Sequence, residues 1–164
     1  MKTLAAALLI AGAPLASAQD HDHCPMAGTQ ESGSAVDRRH DDATGVGHDR
    51  SEHHFRLAKD GGSIRLEVKD AADTASRERI RAHLQAISRA FAAGDFSMPM
   101  QIHDQTPPGV ELMTARKGAI RYSYAATGRG GVVTISSDDA EARDAIHSFL
   151  RFQISEHGTG DPTE

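Results

Sequence analysis

The sequence predicts an α+β domain: two ββα repeats whose strands form a four-stranded antiparallel sheet, with two helices on one face. Three observations predict it. Apolar residues alternate in two short segments, Phe55 and Leu57 around Arg56, then Ile64, Leu66 and Val68 among Arg65, Glu67 and Lys69. That period buries one strand face and leaves the other wet. Ile80, Leu84, Ile87 and Phe91 recur at helical spacing. The same order of strand, glycine turn, strand and helix then returns in the second half, where Ile146 and Leu150 repeat the spacing of Ile80 and Leu84.

The chain begins with the pattern of a secretory signal at 1–18. Lys2 supplies the positive end, an apolar run follows to Leu15, and Ala16-Ser-Ala18 is a small-x-small cleavage site. The run is too short to span a bilayer, and no later segment is long and apolar enough to do so. The expected product is a periplasmic or secreted protein. Residues 19–50 are rich in Asp, His, Gly and Ser with little apolar periodicity, which predicts a disordered arm.

The folded domain is expected over 51–158. Lys59-Asp-Gly-Gly62 joins the first two strands as a hairpin. A helix follows over 74–93, capped by Asp73 or Thr74 and ended by Gly94. Next comes a proline-stiffened connector around Pro99, Pro107 and Pro108, with a turn or two of helix from Val110 to Met113. Ile120, Tyr122 and Tyr124 alternate in the third strand. Gly128-Arg-Gly-Gly131 turns into the fourth. Asp138 with Glu141 resembles a capping box for a helix running to Glu156, and 159–164 is a disordered tail.

Composition limits the function. A formal charge of −5 argues against nucleic-acid binding by bulk electrostatics. One cysteine, Cys24, cannot close an internal disulfide. The excess is in histidine, with ten in the chain.

The connector at 96–109 carries two thioethers, an imidazole and a carboxylate (Met98, Met100, His103, Asp104) on a stiffened backbone. His53 and His54 are neighbours on a strand and point to opposite faces, His53 in phase with Phe55. His53 or His54 with Met98, Met100 and His103 is a donor set suited to copper, because thioether is soft and imidazole intermediate. Zinc fits less well, since its sites seldom use methionine. The bland reading is that Met98, Met100 and Ile102 plug the core. The arm offers a second set, His21, His23, Cys24 and Met26.

Further candidates are His83, which reads as a core histidine with a backbone partner, and His147 and Arg151 on the last helix. His147 and His157 lie about 15 Å apart along that helix and cannot share an ion. His157 also reads as an imidazolium at a helix C-terminus.

His53-His-Phe-Arg-Leu57, Gly94-Asp-Phe96, Ile102-His-Asp-Gln105, Pro107-Pro-Gly-Val110 and the stretch Ala145-Ile-His-x-Phe-Leu-Arg-Phe-Gln-Ile154 resemble a family of small exported bacterial proteins without an assigned function. The resemblance spans about 52–161 and implies the domain limits and the importance of the connector. Some relatives are described as aspartate carbamoyltransferases. This chain is far too short for that enzyme and shows no phosphate-cradling loop, so the activity is not carried over. The family pattern also implies an aromatic residue at 101, where this chain has Gln101.

Three functions follow as expectations. The first is periplasmic metal binding, as a copper carrier, buffer or sensor. The second is a metal-free module that recruits a periplasmic protein or a ligand through the polar face with Arg56, Arg65, Lys69 and Arg121. The third is a small hydrolase using His103 with Asp104 or a metal-bound water, although no Gly-x-Ser-x-Gly or His-Glu-x-x-His occurs.

Overall fold

Residues 34–164 are described in a computed structural model. The signal segment and the donors His21, His23, Cys24 and Met26 lie outside the described residues.

Helix α1 (Ala35–Thr44) corrects the expectation of a disordered arm over its second half. It starts in a capping box: Ser34 Oγ accepts from the Asp37 N–H at 3.1 Å, and the Asp37 carboxylate accepts from the Ser34 N–H at 2.9 Å. Gly45 ends it at φ 68°. Only His40 and Thr44 of this helix are buried, both polar, so apolar periodicity could not announce it. Tertiary contacts hold it instead. Arg39 Nε donates to the Ile102 carbonyl and Arg79 Nη1 to Gly45 at 3.0 Å, and the following Val46 enters the core.

Strands β1 (Ser51–Ala58), β2 (Gly61–Val68), β3 (Ile120–Ala126) and β4 (Gly130–Ser137) form one antiparallel sheet in the order β1-β2-β4-β3. The register aligns Phe55 with Ile64, Ile64 with Val133, and Val133 with Tyr124. The alternation read from the sequence therefore becomes a continuous apolar band across four strands.

Helix α2 (Thr74–Ala93) begins on Asp73, whose carboxylate accepts from the Ser76 N–H at 3.0 Å, and ends at Gly94 with φ 82°. Helix α5 (Ala140–Glu156) begins on Asp139, one residue later than the expected cap. Asp138 pairs with Arg121 at 3.0 Å instead. Ile80, Leu84, Ile87 and Phe91 of α2 and Ile146, Phe149 and Leu150 of α5 join the sheet's band in a single core. Glycine makes the close approach possible at two places. A Cβ on Gly62 would overlap the Leu150 side chain, and one on Gly131 would press on Leu84.

The connector folds into two short helices, α3 (Ser97–His103) and α4 (Val110–Ala115). Pro99 sits in the first turn of α3, where a missing N–H costs nothing.

The C-terminal residues also depart from the expected free tail. Asp161 accepts from the Phe55 N–H at 2.9 Å and pairs with His54 Nδ1 at 3.1 Å, while Arg151 Nε donates to the Thr163 carbonyl at 2.9 Å. The two Asp161 bonds occupy polar groups on β1, an edge strand that otherwise exposes them. Among the described residues, no helix is long and apolar enough to cross a membrane.

The polar sheet residues are largely paired with each other. Arg65 meets Glu67 at 3.2 Å, and Arg129 meets Glu52 at 3.3 Å and Glu67 at 3.4 Å. Lys69 Nζ donates to the His48 carbonyl at 3.0 Å.

Candidate functional site

Five histidines from five different elements converge at one end of the core. His40 projects from the middle of α1 and His53 from the core phase of β1. His83 lies on the buried stripe of α2, three residues after Ile80. His103 is the last residue of α3, where the chain turns away through Asp104 at φ 54°. His157 is the C-cap of α5.

His40, His53 and His157 form a closed triangle, with ring centroids 4.2, 5.3 and 5.5 Å apart. The His53 and His157 rings are parallel to within 11°, and His40 stands edge-on to both. His83 lies 5.8 Å from His40, and His103 lies 5.2 Å from His157. His40 Nε2 and His53 Nε2 are 2.9 Å apart, so one ring donates a proton and the other accepts it.

The outer two rings have fixed partners. His83 donates to the backbone of Ala43. His103 Nε2 lies 3.0 Å from Gln153 Oε1. The amide oxygen accepts, so the His103 proton is on Nε2 and the lone pair is on Nδ1. That Nδ1 is buried without a hydrogen-bond partner, with Glu156 Oε2 3.8 Å away.

The cluster is electrically neutral at pH 7. Burial, followed by the neighbouring imidazoles His53, His157 and His83, pulls the His40 pKa down to about 2. Burial and then His157 and His83 pull His53 down to about 3. His83 falls to about 4 through burial, against the opposing pull of its Ala43 bond, and His157 falls to about 4 through burial and then His103. His103 is also lowered by burial, against Gln153 and Glu156. The imidazolium expected for His157 at a helix end does not form, because desolvation outweighs the helix dipole here. Neutral imidazoles keep a lone pair each, the state in which histidine binds metal.

A cavity of about 40 Å³ is lined by these rings together with Phe55, Ile87, Phe91, Phe149 and the thioether of Met98. Among the described residues lining it there is no carboxylate. Among the described residues no three His, Cys, Asp or Glu side chains already stand at ligand spacing around one point. A metal would draw the rings from their present edge contacts.

No family model, curated protein or solved structure matches this chain.

Of the residues singled out in the sequence, His53, Met98, His103 and His83 line the cavity. His54 does not. It points to the other sheet face and pairs with Asp161. Met100 is 39% exposed on the outside of α3. Asp104 is an exposed turn residue and is not directed at His103, whose polar neighbours are Gln153 and Glu156. His147 Nε2 donates to the Ala58 carbonyl at 2.9 Å, and Arg151 anchors Thr163.

Sequence reasoning missed His40 and His157. The signal for His40 was the Ser34-x-x-Asp37 start and the Gly45 stop, which bracket it as helical. The signal for His157 was its spacing of four from Gln153, a buried residue of α5.

Proposed function

We propose that this is an exported metal-binding protein that handles copper as a carrier, buffer or sensor, with His40, His53 and His157 as ligands and His83, His103 and Met98 beside them. The observation that carries the reading is the closed triangle of imidazoles. Two imidazoles on one ion, with each nitrogen about 2.0–2.1 Å from it, have ring centroids about 5 Å apart. The triangle brackets that separation, and the rings would have to turn for their nitrogens to meet one ion.

The donor chemistry supports copper over harder ions. Calcium and magnesium need oxygen ligands, and the lining residues include no carboxylate. Neutral imidazoles with a nearby thioether suit Cu(I), and imidazole also accepts Cu(II) and zinc. Gln153 supports the site by fixing the His103 tautomer, the role that hydrogen-bonding partners of ligand histidines commonly play.

The test is a titration of the full chain with Cu(I), Cu(II) and Zn(II) against a competing chelator. The arm donors are first replaced (His21→Ala, His23→Ala, Cys24→Ser, Met26→Leu), so that any binding belongs to the folded domain. One tight copper equivalent, lost in His53→Ala, is expected. Failure to hold any ion against the chelator would overturn the proposal.

A further inference from the structure

Met98 has two faces. Its side chain lines the buried cavity with the histidines. It also lines a surface groove between α1 and α3, formed by Arg39, Asp42, Ala43, Met98, Gln101 and Ile102. Met98 and Ile102 are the residues common to both linings, and of these two only Met98 carries a donor atom. A polarizable thioether therefore stands where the outer groove meets the cavity that His40 also lines.

That junction lies along a seam whose α1 side is mainly polar. On the α1 side the buried residues are His40 and Thr44, so the apolar surface uncovered on parting lies on α3, at Ile102 and Met98. The link from α1 to α3 is polar, the Arg39 donation to the Ile102 carbonyl. Segments with few buried apolar contacts open locally with far less free energy than the global fold requires.

We propose that the seam between α1 and α3 is the port through which a soft monovalent cation, Cu(I), reaches the buried histidines, and that Met98 Sδ is the ligand that passes it across. This rests on the metal reading above. Thioether binds Cu(I) through a soft sulfur without needing deprotonation, so each transfer exchanges one neutral donor for another and the copper keeps its oxidation state. Asp42 and Gln101 also line the groove, but of the residues that the groove shares with the cavity only Met98 offers a donor atom to an arriving ion.

The experiment measures the rate at which Cu(I) moves from a coloured chelator complex into the full chain with the arm donors replaced. Met98→Leu keeps the volume and the apolar plug and removes only the sulfur. Under the proposal, Met98→Leu slows loading about tenfold or more, a barrier increase of about 1.4 kcal/mol or more, and final occupancy is read separately from the rate. Arg39→Ala, which unties the seam, speeds loading in a background that retains Met98. Met98→Leu loading at the unsubstituted rate would show that the side chain is a core plug and would overturn the port. An unchanged rate in Arg39→Ala would overturn the seam as the route. If the chain with Met98 intact takes up no Cu(I), the metal reading fails and the port fails with it. If copper loads and only the kinetic effects are absent, the port alone fails. Melting curves confirm that each variant is folded at the temperature used.

Discussion

His40 Nε2 lies 2.9 Å from His53 Nε2, joining the centre of α1 to the start of β1 across 13 positions. With so little apolar surface on α1, this bond is a main reason the helix docks. His40→Ala leaves the His53 ring without its partner and should weaken the docking of α1 by about 1–3 kcal/mol. Hydrogen exchange should quicken across 35–44 while amides in β2 and β4 keep their protection. Unchanged exchange over α1 would show that Arg39 and Arg79 hold it unaided.

The metal-free protein should lose stability as the pH falls below the ordinary histidine range. His53, His83 and His157 have folded pKa values of about 3, 4 and 4, against 6.5 unfolded. Between about pH 6.5 and 4 the unfolded chain therefore binds more protons than the folded one. Stability then rises with pH through that window, is fully present above about 6.5, and declines on acidification. Urea midpoints at pH 7.5, 6 and 5 should fall in that order, and protons should be taken up on unfolding.

Gln153 is the acceptor for the buried His103 Nε2–H. Gln153→Leu keeps a similar bulk but strands that donor, which should cost about 1–3 kcal/mol. Gln153→Glu preserves an acceptor and should recover part of the loss. Thermal melts of the two variants measure the difference.

Metal binding should separate the two neighbours on β1. His53→Ala should abolish the tight copper site, whereas His54→Ala, on the opposite sheet face, should leave it intact. Met100→Leu should also leave affinity unchanged, because Met100 is exposed on the outside of α3. Chelator competition reads all three.

Gly62→Ala should destabilise strongly, by about 1–3 kcal/mol or more, since the added carbon overlaps the Arg56 carbonyl and Leu150. Gly118→Ala, with nothing within 4 Å, should be close to neutral. Denaturant midpoints of the pair test whether the tight contact between α5 and β2 is required.

Much of the fold was legible because local periods carry it. The strands, the hairpin turn and the 74–93 helix could be read from alternation and caps, and the phase of Phe55 placed His53 on the core side. The site was legible only in part. His53, Met98, His103 and His83 were singled out, but His40 was assigned to the arm and His157 to its helix end. The placement of His157 holds, but neither residue was read as part of the cluster, because each meets it through a contact made far away in sequence. The His40 and His157 rings lie 5.5 Å apart across 117 positions, and the His53 and His157 rings 5.3 Å apart across 104.

The sequence by itself determined the elements and the face each one buries, because those follow from residue spacing along a helix or strand. Tertiary structure alone decided which ends of those elements meet. Sheet order, helix crossing and the docking of α1 brought five histidines, scattered from position 40 to position 157, to one end of the core. Spacing specifies a side chain's direction from its own backbone. Only packing of the whole chain specifies what it points at.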